Sequence, residues 1–346
     1  MKISILTLFS ANNVGAFLQA FSLQNVLIEI APSANVSFIR FPSSADNKIG
    51  KVAYYLKKLE VRKIIFKYLS SKKYARVLNQ LRVDNIPFSS ERQYDTVIVG
   101  SDEVWNIDSN NFTHHPQYFA HQIRAKHIIS YAASANTVEF DSMLASGYDF
   151  CNFESLSVRD DNTFNLVKKI DGRTPQMVCD PTMLINSFDA YISNIKMKNY
   201  ILVYSYELTK RDIRAIKEFA KKKKKKLISV GTYNKWCDKN IVVNPFEFLS
   251  WLSAADLVIT STFHGTVLSI RLHKQVAVFA QTSHKVKCFL NQMGLNERCM
   301  DDDKSLDEVF TNPINYDLVE DRINFLRTSS IKFLKEALEN SNGQIE

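Results

Sequence analysis

The stretch Ala255-Asp-Leu-Val-Ile-Thr-Ser-Thr-Phe-His-Gly-Thr-Val-Leu-Ser-Ile-Arg271 decides the fold class of this chain. Its apolar run from Leu257 to Ile259 is typical of a buried parallel strand. Hydroxyl residues follow at a turn, and apolar residues from Val267 onward begin a helical pattern. Ser261 or Thr262 is the predicted N-cap, because its oxygen can accept from a free amide of the first turn. A strand joined by a short turn to a helix is the repeating unit of α/β proteins.

The start of that helix is a candidate anion site. His264 and Gly265 fall in its first turn, where unpaired amides and the positive end of the helix dipole attract negative charge. Gly265 also leaves room for a ligand to approach the backbone. On this stretch alone, however, a histidine at a helix start is more often an ordinary polar residue than a ligand contact.

The rest of the chain repeats the alternation of strands and helices. With 346 residues the chain is long enough for two domains of ordinary size. The pattern predicts an α/β fold with two Rossmann-like, doubly wound domains that face a cleft. We expect these domains at residues 1–190 and 200–310, followed by a C-terminal helix within 311–346 that can pack back on the first domain.

Composition excludes several classes of protein. A hydrophobic content of 45% indicates real cores rather than disorder. No apolar run approaches the ~20 residues that span a bilayer, and residues 3–9 are interpreted as a first strand rather than a signal segment. The five cysteines are scattered without a CxxC pair, which argues against structural zinc and disulfides and favours a reducing cytoplasm. No GxGxxG fingerprint for a dinucleotide occurs. Neither a metal nor a cofactor is predicted.

Positive charge is concentrated between Lys48 and Arg76, where ten Lys or Arg residues accompany one acid, Glu60. Aromatic and aliphatic residues are interleaved with them, as in a basic amphipathic helix that lies on an anionic membrane surface. The favoured alternative is that the apolar side packs on the protein and the lysines are solvated. The lysine run 221–226 ends a predicted helix, where cations suit the dipole, and does not indicate nucleic-acid binding.

Polar residues that follow other predicted strands are further candidates for the site. Asn13 and Gly15 lie in a loop after the first strand, at the ligand-binding edge of a sheet. Asp102 follows a buried strand beside a glycine and is either a catalytic carboxylate or a turn residue. Arg159 ends another strand, where its fork suits phosphate or carboxylate. The competing interpretation for Arg159 is a structural ion pair with Asp160.

With these elements placed, the sequence resembles the polysaccharide pyruvyl transferase family. The resemblance runs through nearly the whole chain, although the basic stretch is not part of it. It implies a glycosyltransferase-B-like fold and transfer of a pyruvyl group from phosphoenolpyruvate to two hydroxyls of a sugar, forming a cyclic ketal. The implied acceptor is a glycan or lipid-linked precursor of a cell-surface polysaccharide. The matching segments are Asn12-Asn-Val-Gly-Ala-Phe-Leu-Gln-Ala20, Gly100-Ser-Asp-Glu-Val-Trp-Asn106, Ser130-Tyr-Ala-Ala-Ser134, Ser157-Val-Arg-Asp160, Asp180-Pro-Thr182, Ser261-Thr-Phe-His-Gly265 and Met293-Gly-Leu-Asn-Glu-Arg298.

The resemblance also implies roles for individual residues. Arg159 and His264 would hold the anionic groups of the donor, with His264 protonating its methylene carbon, and Asp102 would handle an acceptor hydroxyl. Some family members carry arginine where this chain has Thr262, so the missing charge is expected from a nearby lysine, or the donor differs. The residues expected to contact substrate are Asn13, Gly15, Ser101, Ser261, Thr262, Gly265, Lys285 and Lys287.

Two other functions stay open at this point. A nucleotide-sugar-dependent glycosyltransferase would share the fold and the cleft. A non-catalytic glycan-binding or scaffold protein would share the fold without needing the acid and base. Binding of phosphoenolpyruvate against nucleotide sugars separates the first alternative, and variants of the acid and base separate the second.

Overall fold

The structure is a computed structural model that describes residues 1–9, 12–41, 60–110, 112–206, 208–280, 283–301 and 304–340. It is an α/β protein with a parallel sheet in each half of the chain. The first half contains β1 (Lys2–Leu6), α1 (Val14–Ile30), β2 (Asn35–Phe38), α2 (Val61–Ala75), β3 (Gln93–Val99), β4 (Arg124–Ser130), α3 (Phe140–Ser146), β5 (Ser157–Val158), α4 (Asp161–Asp171) and β6 (Gln176–Met177). The second half contains β7 (Tyr200–Tyr204), α5 (Lys210–Lys222), β8 (Lys226–Val230), β9 (Lys239–Ile241), α6 (Pro245–Ala254), β10 (Leu257–Thr260), α7 (Phe263–Arg271), β11 (Val276–Val278), α8 (His284–Met293), α9 (Leu306–Thr311) and α10 (Tyr316–Asn340). Short 3₁₀ helices cover Leu78–Gln80, Pro116–Phe119, Pro181–Met183, Asp189–Tyr191 and Asn296–Arg298.

The first sheet has the strand order β2-β1-β3-β4. Single bridges from Ile129 to Ser155 and from Ala133 to Val158 place the short pair β5–β6 next to β4. Because these strands are parallel, their carboxyl ends lie along one edge. The order changes direction between β1 and β3, and ligands of open α/β sheets bind at such a switch point.

The second sheet has the order β11-β10-β7-β8-β9, with its switch point between β7 and β10. Thr260 at the end of β10 donates its hydroxyl proton to the carbonyl of Tyr204 at the end of β7, at 2.7 Å. This bond ties the two strand ends together where the chain turns into α7. The domain boundaries given above stay predictions, although each sheet lies in one of the two predicted regions.

The two halves share a continuous core in which α1 is central. Thirteen of the 17 residues of α1 are buried, as expected for a helix that is apolar on nearly all sides. Phe17 and Phe21 of α1 pack edge-on against Phe246 of α6, with ring centroids 5.6 and 5.1 Å apart. The start of α1 is therefore fixed relative to the second half of the chain.

The C-terminal helix α10 also contacts the first half. The hydroxyl of Ser330 accepts from the amide of Cys179 at 2.9 Å, and Phe333 lies against Tyr131. None of the described helices combines the length and apolar character needed to cross a bilayer.

Part of the basic segment lies outside the described residues. The predicted amphipathic helix began at Lys48, and the structure describes its second portion as α2. Phe66 of α2 packs against Tyr233, with centroids 5.7 Å apart, and Lys73 forms an ion pair with Glu247 at 2.7 Å. One side of α2 thus packs on the second half of the protein.

Candidate active site

The strand–turn–helix unit places His264 in the first turn of α7. Thr262 is its N-cap, since its hydroxyl accepts from the amide of Gly265 at 2.9 Å. Ser261, the other predicted cap, instead shares a hydrogen bond of 2.7 Å with the hydroxyl of Ser205. Both hydroxyl residues stand at the start of α7, so their predicted contact with substrate stays a prediction.

Gly265 allows α7 to pack closely on the end of β10. A Cβ atom at this position would lie 2.2 Å from Oγ1 of Thr260 and 2.5 Å from Oγ1 of Thr262. The protein itself thus occupies the space of a side chain, so the absence of a Cβ serves packing rather than a ligand. Only the backbone of Gly265 remains a candidate for ligand contact.

Arg159 follows β5, and its side chain is only 2% exposed. Its Nη1 donates to Oδ2 of Asp180 at 2.6 Å, and its Nη2 donates to Oδ1 of Asp102 at 3.1 Å. Ser101 accepts a further bond from Nη1 at 3.2 Å. Asp160, the predicted structural partner, caps α4 instead by accepting from the amide of Thr163. Two carboxylates from other segments therefore compensate the buried guanidinium.

Asp180 lies at the centre of the cluster. One carboxylate oxygen accepts from the amide and hydroxyl of Thr182, and the other faces Arg159. That second oxygen also lies 3.5 Å from Nε2 of His264, a distance compatible with an ion pair when the ring is protonated. Burial acts to raise the pKa of Asp180, but His264, Arg159 and Thr182 hold it well below its usual value. Asp180 is thus an ionised carboxylate that connects an arginine from the first half with a histidine from the second.

The imidazole of His264 lies against the start of α1. A Cβ on Gly15 would lie 2.2 Å from its Nδ1, so the glycine makes room for the ring. Asn13 caps α1 by accepting from the amides of Gly15 and Ala16 at 2.9 and 3.3 Å. Within the described residues, no atom completes a hydrogen bond with Nε2 of His264. The ring is therefore held by packing, with one nitrogen facing Asp180.

Gly15→Ala should displace the ring of His264 and lower turnover by roughly tenfold or more, because misplacement of a catalytic group by about 1 Å can cost about 100-fold. The measurement is turnover in steady-state kinetics. Gly147→Ala is the control: apart from its chain neighbours, no described residue has a heavy atom within 4 Å of its Cβ position, and its φ of +72° gives it only a backbone cost. Equal turnover of Gly15→Ala and wild type would contradict this placement of His264.

A second charged pair lies beside the first. The ammonium of Lys285 in α8 contacts the carboxylate of Glu103, and lies 5.9 Å from the ring centroid of Phe263. The same aromatic ring lies under the guanidinium of Arg159, at 4.7 Å. Burial lowers the pKa of Lys285, and the charge of Asp102 opposes that effect. Lys285 therefore joins the cluster from the second half of the chain.

The other predicted lysine lies elsewhere. Lys287 lines a cavity of about 440 Å³ together with Asp301 and Lys304. A larger cavity, of about 520 Å³, is lined by Glu91, Arg124 and their neighbours at the amino ends of β3 and β4. Ligands of parallel sheets bind at the opposite edge. Because Lys287 lines another cavity and Lys285 contacts Glu103, we assign only Lys285 to the site.

Two further polar residues, Asp102 and Tyr206, lie near this cluster. Asp102 has a φ of 75°, which is costly for a residue other than glycine and is common at functional sites. Tyr206 follows β7 and is 60% exposed. Its hydroxyl lies 3.4 Å from that of Tyr204, and desolvation together with the charge of Asp102 raises its pKa. Tyr206 thus presents an aromatic surface near the carboxylate.

Sequence reasoning missed three members of this group as site residues: Glu103, Asp180 and Tyr206. The only available signal for Asp180 was its place in a family segment, and Glu103 was adjacent to a predicted acid. The cluster joins three carboxylates to a guanidinium, an amine and an imidazole, which is suited to acid–base chemistry on an anionic substrate. Among the described residues, no group of three or more His, Cys, Asp or Glu side chains is arranged to hold a metal ion.

Solved structures share this architecture. UDP-GlcNAc 2-epimerase from Neisseria meningitidis, bound to UDP-GlcNAc, is 12% identical with a TM-score of 0.51, over 98% of this chain and 100% of that chain. A putative UDP-N-acetylglucosamine 2-epimerase from Listeria monocytogenes is 9% identical with a TM-score of 0.51, over 97% and 91% of the two chains. At these identities the likeness concerns the fold alone, and it confirms the predicted glycosyltransferase-B-like architecture. A search of curated proteins gave no match.

The sequence itself identifies the family. The family model described as polysaccharide pyruvyl transferase matches residues 13–283, well over half of the chain. That range contains Asp102, Arg159, Asp180 and His264, whereas Lys285 lies just beyond its end. The predicted resemblance is confirmed, and the chain belongs to the polysaccharide pyruvyl transferase family.

Proposed function

We propose that this protein transfers the pyruvyl group of phosphoenolpyruvate to two hydroxyls of a sugar in a cell-surface polysaccharide or its lipid-linked precursor. Membership of a transferase family that modifies polysaccharides supports the reaction class. The observation that carries the proposal is the position of His264, 3.5 Å from the ionised carboxylate of Asp180. An imidazole oriented by a buried carboxylate is a common arrangement for proton transfer, which the first step of the reaction needs.

The chemistry begins at the methylene carbon of the donor. Proton transfer to that carbon converts it to a methyl group and leaves positive charge on the neighbouring carbon, which bears the phosphate and the carboxylate. One sugar hydroxyl adds there, the bond to phosphate breaks, and the second hydroxyl closes the ketal. One hydroxyl proton balances the proton placed on carbon, and the other balances the released phosphate. The site must therefore supply an acid, a base and stabilisation of departing phosphate.

We assign the acid to His264, with Asp180 as its anionic partner. Arg159 holds Asp180 and Asp102 through its two Nη nitrogens, while its Nε has no partner among the described residues. That Nε is itself buried, so we assign Arg159 the role of fixing the two carboxylates rather than direct contact with the donor. The phosphate and carboxylate of the donor would take the amides at the start of α7 and the ammonium of Lys285.

The acceptor side would consist of Asp102, Glu103 and Tyr206. Asp102 is tied to Arg159 at 3.1 Å, which holds its carboxylate in place to accept a hydroxyl proton. Glu103 is bound to Lys285, so donor binding at that lysine would free a second carboxylate. The exposed ring of Tyr206 offers a flat apolar surface of the kind on which a sugar ring can pack.

Donor identity is tested by calorimetric titration of the purified protein with phosphoenolpyruvate and, separately, with UDP-GlcNAc. We expect binding of phosphoenolpyruvate, and we expect Lys285→Met to weaken it roughly 10- to 100-fold, the effect of losing one charge-assisted hydrogen bond. Lys287→Met is the matched control, because this lysine lies on the same helix but lines another cavity. Tight binding of UDP-GlcNAc without binding of phosphoenolpyruvate would instead identify a nucleotide-sugar-dependent transferase.

A further inference from the structure

Helix α2 has two apolar faces, and only one of them packs on other residues that the structure describes. Phe66, Ser70 and Tyr74 are buried on the inner face. There Phe66 contacts Tyr233, and on an exposed side of the helix the hydroxyl of Ser71 accepts from the side-chain amide of Asn12. These contacts fix the orientation of α2, so its outer face is also fixed. The packing alternative raised by the sequence therefore accounts for one face only.

The outer face is a continuous apolar stripe. Its members are half exposed: Val61 by 51%, Ile65 by 52%, Tyr68 by 57% and Leu69 by 43%. Their spacing of i, i+4, i+7 and i+8 places them on one side of a helix. Single exposed apolar side chains are ordinary on protein surfaces, but a contiguous stripe with polar borders marks an interaction site.

Positive charge borders this stripe. Residues 61–76 contain six cationic side chains and no acid: Arg62, Lys63, Lys67, Lys72, Lys73 and Arg76. Lys63 and Lys73 form ion pairs with Glu60 and Glu247. Lys72 lies over the ring of Tyr68, 4.6 Å from its centroid, and thus stands on the outer face itself. The surface is therefore apolar in the middle and cationic at its borders.

This combination selects among the surfaces that could cover the stripe. A second copy of the chain would place two strongly cationic faces against each other in a symmetric interface, which like-charge repulsion opposes. An anionic bilayer provides both complements, since its interface accepts apolar side chains and its headgroups attract lysine and arginine.

We propose that α2 is a peripheral docking surface for an anionic lipid bilayer. Val61, Ile65, Tyr68 and Leu69 enter the headgroup region, and the flanking cations contact acidic headgroups. Asn12, which bonds Ser71 of α2, directly precedes Asn13, the N-cap of α1, and Gly15 in the first turn of α1 meets His264. Docking through α2 therefore holds one rim of the cleft near the membrane surface, where a lipid-linked sugar is presented. The proposal does not depend on the identity of the donor.

The test is co-sedimentation of the full chain with vesicles of phosphatidylcholine containing phosphatidylglycerol, and with pure phosphatidylcholine vesicles. We expect binding to the anionic vesicles that weakens as salt rises, because salt screens surface attraction. Ile65→Glu/Leu69→Glu should lower the partition coefficient at least tenfold, since two apolar contacts are lost and two repelled charges are gained. The matched control is Ile86→Glu/Leu144→Glu, at positions that are 62% and 60% exposed elsewhere, and it should bind as wild type does.

A second set of variants removes positive charges and leaves the four apolar residues of the stripe unchanged. Arg62→Gln/Lys72→Gln/Arg76→Gln should lower binding to anionic vesicles by roughly 100-fold, at about 1 kcal/mol for each of the three cations near the surface. Lys210→Gln/Arg214→Gln/Lys221→Gln on α5 removes the same net charge elsewhere and should leave binding near the wild-type value.

Several results would overturn the proposal. The first is an equal loss of vesicle binding in both charge variants. The second is wild-type protein that stays in the supernatant, apart from the sedimented vesicles, at every salt concentration. The third is a large loss of thermal stability in Ile65→Glu/Leu69→Glu. Concentration-dependent dimers that this variant abolishes would instead assign the stripe to a second copy. Unaltered vesicle binding with no donor binding would leave the docking surface intact while rejecting the proposed reaction.

Discussion

His264→Gln is expected to lower the rate of phosphate release from phosphoenolpyruvate by roughly 100- to 10,000-fold, the usual contribution of a positioned acid. Glutamine retains polar volume beside Gly15 and Asp180 but cannot donate a proton to carbon. The ring makes no hydrogen bond through Nε2 within the described residues, so its replacement removes chemistry more than stability. The measurement is single-turnover kinetics with a saturating donor, alongside thermal denaturation.

The control for this variant is His273→Gln. His273 faces Glu320 at 2.9 Å on an exposed surface, so its loss should leave turnover near the wild-type value. The melting temperature of His264→Gln should remain close to that of wild type. An unchanged product yield in His264→Gln would favour a non-catalytic glycan-binding protein and would remove the proposed acid.

Arg159→Ala should produce the largest loss of stability among substitutions in the cluster. It leaves the carboxylates of Asp180 and Asp102 without their guanidinium partner, and Asp180 has a side chain only 1% exposed. Breaking a buried ion pair by removing one partner costs about 3–5 kcal/mol. The free energy of unfolding from urea denaturation measures this loss, and turnover should fall with it because Asp180 no longer holds its position beside His264.

Two comparisons make that result specific. Arg124→Ala removes one partner of an exposed ion pair with Glu91, so we expect a cost of about 1 kcal/mol or less. Arg159→Ala/Asp180→Asn removes both partners of the buried pair and should cost less than the sum of the single changes. An Arg159→Ala variant as stable as wild type would mean that the two carboxylates are not held as described.

The local patterns of the chain allowed much of the fold to be predicted. The stretch 255–271 forms a strand, a turn and a helix, because a short apolar run, hydroxyl caps and helical spacing all act within a few residues of each other. The same reasoning placed Arg159, Asp102 and His264 at carboxyl ends of parallel strands or just after them. Parallel strands bring those ends to one edge, so the meeting of these side chains followed from sheet geometry.

The partners within the cluster depended on contacts between distant segments. From the sequence, Asp180 was only the end of an extended run before a proline. In the structure it pairs with Arg159 and faces His264, which are 21 and 84 residues away along the chain. Gly15 faces His264 only because α1 packs on the second half of the chain. Neither relation has a local signature, since it depends on how the two sheets are placed. The two-faced character of α2 was hidden for the same reason, because periodicity alone does not show which apolar face finds a partner.

We propose that this protein places a pyruvyl group on a sugar. Mass spectrometry of the polysaccharide is the direct test. Polysaccharide would be compared from cells that carry the wild-type chain and from cells in which the chain carries His264→Gln. We predict that only the wild-type polysaccharide carries ketals, each adding one carboxylate and the mass of pyruvate less one water, on otherwise identical sugar chains. Equal ketal content in both samples, or loss of a sugar residue in place of a ketal, would contradict it.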